Sequence, residues 1–178
     1  MKLVCVAASV LLLSAGVMAQ GSQGKGNAKP KSGITLTIVG QQFACTTSVG
    51  AGAFNVLSWS WGASNPTTIG SGGGGGTGKV SLSSLNVLKD FDACSPALFG
   101  AVATGRHFES ATLVQSNSDG TVTTLALTDV IIESWQASGS VATEQATESV
   151  SLAFAKVCLT DGGSGSKFCY DVAANKTF

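Results

Sequence analysis

The chain has 178 residues, 44% of them hydrophobic, with ten basic and ten acidic side chains and a single histidine. A formal charge of zero weighs against nucleic acid or an anionic membrane as the main partner. A domain of this length buries well over half of its unfolded surface, so neither a metal nor a dense disulfide frame is needed to supply a core.

Lys2 is a short basic start, residues 3–13 are almost wholly apolar, and Val17-Met18-Ala19 presents small residues where a signal peptidase reads. This pattern predicts a secretory signal peptide over residues 1–19, cleaved after Ala19. The apolar run is shorter than the roughly 20 residues that span a bilayer. No second run of spanning length follows, so the mature chain is expected to be secreted or periplasmic without membrane insertion. Loss of Lys2 leaves nine basic against ten acidic residues, and Lys25, Lys29 and Lys31 lie in the next segment, so the domain proper is mildly acidic.

Residues 20–32 are Gly, Ser, Lys and Asn with few apolar groups, and are expected to form a flexible leader. The domain then spans 33–178. Ile34 to Val39 alternates and reads as the first strand, and the small polar residues from Cys45 to Ala53 read as a loop. In Phe54 to Gly62, FNVLSWSWG, Leu57, Trp59 and Trp61 alternate with Ser58 and Ser60, which predicts a strand with those three residues on one face. Asn65-Pro66 and the glycine-rich loop at 70–78 have no side chains to fix one shape. Val80 to Leu88 changes phase at Ser83-Ser84, predicting two short strands or a bulge.

Ser95 is read as a cap accepting from the N–H groups of the first helical turn, with Pro96 at the first position and Ala97, Leu98, Ala101 and Val102 as the apolar stripe. Gly105 closes this one short helix. Alternation returns at Glu109 to Gln115, Thr123 to Trp135 and Ser149 to Leu159. The connections are short turns, so the pairing is antiparallel and the class mainly β.

Cys5 leaves with the signal, and Cys45, Cys94, Cys158 and Cys169 remain for an oxidising compartment. Four cysteines allow three pairings. If residues 162–165 form a four-residue loop in a C-terminal hairpin over 150–172, Thr160 faces Lys167 and Cys158 faces Cys169, which leaves Cys45 for Cys94.

The search for chemistry finds little. Gly73 and Gly78-Lys79 resemble a phosphate loop, but Val80 stands where a hydroxyl must meet magnesium. His107 has no nucleophile motif around it and reads as a turn histidine bonded to backbone; a hydrolase using His107 is the weakest alternative. Asp90 with Asp92, Asp129 with Glu133, and Glu144 with Glu148 lack the companions of a calcium loop. Trp59, Trp61 and Trp135 read as core or subunit-contact residues. No metal, cofactor or catalytic residue is predicted.

Five blocks in order carry a resemblance: residues 57–62 (LSWSWG); Ser95-Pro96; residues 104–107 (TGRH) followed by residues 111–113 (ATL); residues 128–132 (TDVII); and residues 150–157 (VSLAFAKV). Together they resemble the Hcp family, the haemolysin-coregulated tube proteins of type VI secretion systems. The resemblance covers most of residues 33–159. It implies a compact β-barrel of two antiparallel sheets with one short helix, assembling as hexameric rings that stack into an effector-carrying tube and perform no catalysis. It marks Trp59, Trp61, Gly105, His107, Asp129, Phe154 and Lys156 as family-motif positions with packing or interface roles. The signal peptide, the four mature cysteines and the glycine run depart from that pattern. They keep open an exported monomeric binding module with effector or surface-protein partners.

Overall fold

A computed structural model describes residues 32–40, 43, 45–66 and 78–178. The segments read as signal peptide and leader, Ser32 excepted, and residues 70–77 of the glycine run lie outside the described residues.

Strands follow from the alternation. They are β1 Gly33–Val39, β2 Thr46–Thr47, β3 Gly50–Ala51, β4 Ala53–Val56, β5 Ser58–Ser60, β6 Ala63–Ser64, β7 Ser81–Leu82 and β8 Leu85–Asp90. After helix α1 (Ser95–Thr104) come β9 His107–Ser116, β10 Val122–Ser138, β11 Thr147–Asp161, β12 Lys167–Asp171 and β13 Lys176–Thr177. Every pairing is antiparallel.

One nine-stranded sheet carries the molecule, in the order β13-β12-β11-β10-β9-β1-β4, with β8 pairing both β11 and β5. The long β11 therefore divides its edge: Thr147 to Leu152 pairs with β8, and Lys156 to Thr160 with β12. β4 pairs with β1 at one rim and β5 with β8 at the other, with Leu57 between them. The antiparallel mainly-β class with one short helix is thus present. Among the described residues, however, the ladder runs through the covalent chain at Leu57 instead of closing as a hydrogen-bonded barrel.

Leu57 is also where the tryptophan segment departs from its predicted phase. Phe54 and Val56 are buried, Leu57 points outward, and Trp59 packs inward opposite Val87. The strand changes partner there, so its backbone turns and the alternation restarts one residue later. The expected loop at residues 45–53 holds instead the small hairpin β2–β3 and the start of β4. Ser83-Ser84 separates β7 from β8, as the phase change predicts.

The core gathers Leu36, Phe54, Leu85, Leu98, Phe108, Leu113, Leu125, Leu127, Ile132, Val150 and Leu152. Leu98 and Ala101 give the helix its buried stripe. The helix begins differently from the expectation: Cys94 is the cap residue and no side chain caps the first turn. Ser95 is buried, and its Oγ accepts from the Asp92 N–H at 2.8 Å, so it ties the helix to the preceding loop. At the other end Gly105 takes the left-handed conformation, and the N–H groups of Gly105 and Arg106 bond Val102 O and Ala101 O at 3.2 and 3.0 Å. That is a Schellman closure, for which a residue without Cβ is favoured.

Both cysteine pairs are bridged, Cys45 to Cys94 and Cys158 to Cys169. The hairpin register is the expected one, with Thr160 facing Lys167 and Cys158 facing Cys169.

Candidate functional site

The motif residues converge where β9, β10 and β11 lie side by side. Gly105 ends the helix and Arg106 turns the chain, so His107 opens β9 opposite Ile131. Asp129 is the unusual residue of β10, with a positive φ of 54°. A left-handed L-residue costs roughly 1–2 kcal/mol, less for aspartate, whose short polar side chain bonds locally. The consequence is visible on both sides of it: Leu125 and Leu127 are buried, and then Val130 and Ile132. Asp129 thus resets which face is inward. β11 makes the matching change between Leu152 and Val157, both buried.

His107 Nδ1 lies 3.2 Å from Asp129 Oδ1, with side chains 65% and 62% exposed. The partner is a side chain, not the expected backbone group. An exposed pair of this kind contributes at most about 1 kcal/mol. The cleft around it, about 260 Å³, is otherwise lined by Ile131, Ala153, Phe154 and Ala155, which bring no nucleophile.

Phe154 links this cleft to a second one. Its ring lies 6.4 Å from that of Trp61. Trp61, Leu82, Val157, Leu159, Phe168 and Tyr170 line an apolar groove of about 310 Å³. Leu159 and Phe168, paired across β11 and β12, are 39% and 61% exposed there. The Trp61 N–H is buried without an acceptor among the described residues, whereas Trp59 Nε1 donates to Gln115 Oε1 at 2.8 Å. Lys156 alternates onto the other face of β11, 3.4 Å from Asp171 and 5.6 Å from the ring centre of Phe178.

The hairpin carboxylates are held by their own turns. The Ser164 hydroxyl, followed by the N–H groups of Gly163 and Ser164, holds Asp161 below the usual carboxylate range. The Ala174 N–H is the main cause of the same shift at Asp171. Asp119 is lowered chiefly by the Thr121 hydroxyl.

One cluster was hidden from the motif reading. Lys89 and Glu148 are fully buried and meet at 2.6 Å. The ammonium also bonds Asp90 O at 2.7 Å and Asp92 Oδ1 at 2.9 Å. Glu148 Oε2 accepts from Trp135 Nε1 at 2.9 Å. Each charge is therefore both paired and hydrogen-bonded, the condition for tolerating ions in a core. The signal was present: Lys89 is in phase with Leu85 and Val87, Glu148 with Val150 and Leu152, and the two charges are opposite in sign. No group of three or more metal-ligating side chains occurs among the described residues.

Solved structures titled as type VI secretion or Hcp proteins share this fold. One titled as a type six secretion system protein aligns over 83% of this chain and 100% of its own, with TM-score 0.70 and 23% identity. Hcp1 from Salmonella typhimurium aligns over 83% of this chain and 99% of its own, with TM-score 0.67 and 29% identity. Hcp2 from the same organism covers 80% and 98%, with TM-score 0.57 and 28% identity. No curated protein sequence matches the chain at a significant level. The family model described as type VI secretion system effector, Hcp, matches residues 36–160, and the chain belongs to that family.

Proposed function

We propose that this chain is an exported, non-catalytic structural subunit of the Hcp type that self-associates into hexameric rings, stacks into tubes and carries effector proteins. The family match across residues 36–160 is the observation that carries the reading. Export rests on the signal pattern of residues 1–19, and two disulfides fit an oxidising compartment, periplasmic or external. Residues 20–32 are read as a leader to a domain at 33–178. The non-catalytic assignment rests on the family match alone. The mild acidity of the domain favours protein partners over nucleic acid.

The test is electron microscopy of the mature protein, purified without reductant after its N-terminus has been sequenced. Rings and an N-terminus at Gln20 are expected. A strict monomer at high concentration would remove the ring reading and leave the exported monomeric binding module in its place.

A further inference from the structure

An asparagine takes up a sugar in the export pathway only where its neighbours suit the transferase. A Ser or Thr hydroxyl must follow two residues on, and proline must not stand between. Most asparagines of this chain fail that rule. Asn27 is followed by Ala-Lys, Asn55 and Asn86 by Val-Leu, and Asn117 by Ser-Asp. Asn65 has Thr67 at the right spacing, but Pro66 lies between them. Asn175-Lys176-Thr177 alone meets the rule.

The fold puts this tripeptide in the open. Asn175 lies in the turn that joins β12 to β13, and Asn175, Lys176 and Thr177 are all exposed. Its φ is 52°, in the left-handed region that asparagine tolerates better than most residues and uses in tight turns. The turn is tied by another side chain, Asp171, whose Oδ1 accepts from the Ala174 N–H at 2.8 Å. Asn175 Oδ1 accepts from the Tyr170 hydroxyl at 2.6 Å. That bond holds the side-chain oxygen on β12, and the amide nitrogen, the atom that carries a sugar, has no protein partner among the described residues. β13 pairs with β12 and ends the sheet, so no strand among the described residues pairs with its other side.

We propose that Asn175 is an N-glycosylation site, loaded during export from a lipid-diphosphate-linked oligosaccharide. The Asn175 amide nitrogen attacks the anomeric carbon of the donor sugar. The C–N bond forms as the C–O bond to the diphosphate breaks, the lipid diphosphate leaves with the bonding pair, and the amide gives up one proton. The linked sugar then stands at the outer edge of β13, where unpaired N–H and C=O groups otherwise invite a further strand. This rests on the export reading above, since the donor is met only along the route that the signal peptide opens.

The experiment follows the full-length precursor, expressed from its own gene in its native host. The released chain is analysed by N-terminal sequencing and by intact mass before and after peptide-N-glycosidase treatment. The expected chain begins at Gln20 and carries one glycan, which the glycosidase removes while converting Asn175 to aspartate. Thr177→Ala is expected to abolish the glycan with Asn175 still in place, and Thr177→Ser to retain it, with native circular dichroism in both. Should Thr177→Ala fail that check, Asn175→Gln supplies the same loss by removing the acceptor. A released chain that begins at Gln20 and carries no sugar overturns the proposal and leaves the export reading standing. A glycan that survives Thr177→Ala or Asn175→Gln also overturns it, because the sugar then sits elsewhere. A chain that keeps its signal and stays inside the cell removes the export reading, and the proposal with it.

Discussion

The two ends of the β10–β11 ladder solve different problems. At the helix end, Lys89 and Glu148 are sealed in the core with every strong donor and acceptor engaged, and Cys45–Cys94 ties the β2–β3 region to the cap residue of α1. At the hairpin end, Cys158–Cys169 and self-bonded turn carboxylates hold two strands together above an apolar groove that stays open. One end is ordered by buried charge, the other by local covalent and turn chemistry. Both ends nevertheless expose apolar side chains, Leu159 and Phe168 at the hairpin and Phe91 and Phe99 beside α1.

Removing one partner of the buried pair breaks this contrast most severely. Lys89→Ala is expected to lower the urea unfolding free energy by about 3–5 kcal/mol, because it strands an unpaired carboxylate in the core. Lys89→Met combined with Glu148→Leu should cost far less, which separates the pair's net contribution from the penalty of breaking it. Next come the disulfides. Cys45–Cys94, with a separation of 49 residues, is expected to contribute about 4 kcal/mol on the chain-entropy model. Cys158–Cys169, separated by 11, contributes about 3 kcal/mol on the same model. Serine replacements compared in urea should preserve that order.

Asp129 tests the point where the ladder changes face. Asp129→Gly should be neutral or stabilising, while Asp129→Val is expected to cost about 1–2 kcal/mol, since a β-branched residue tolerates the left-handed region poorly. Acid acts on the hairpin end through Asp161 and Asp171. Asp161 and Asp171 have folded pKa values below the unfolded value of about 3.9, so their stabilisation is fully present above that value and is lost as pH falls through the folded values. Amide-exchange protection factors at residues 156–171 should therefore fall as pH drops below ~4. The smallest effect is at Trp61. With its N–H unpaired among the described residues, Trp61→Phe should change stability by no more than about 1 kcal/mol, in contrast to Trp59→Phe, which breaks the bond to Gln115.

Much of this fold is legible in the sequence where period two is unbroken. The strands around Leu113, Leu125 and Leu152, the hairpin register at Cys158 and Cys169, and the glycine closure of the helix all follow from local rules. The misread places are those where a strand changes partner or face. Leu57 turns outward because the chain leaves β1 for β8 there, a tertiary event with no local signature. Ser95 bonds backward to the Asp92 N–H, in a loop that Lys89 holds through Asp92 Oδ1, a tertiary arrangement with no local signature. Lys89 and Glu148 belong to no motif, although each stands in phase with buried neighbours. The groove was invisible because Leu159 and Phe168 obey the core alternation and only the layer above them is missing.

Sedimentation velocity of the mature, oxidised chain over a concentration series tests the central claim most directly. The account predicts concentration-dependent species at integer multiples of the monomer mass, converging on a closed ring. A single monomer boundary at the highest concentration, with both disulfides intact, would contradict it.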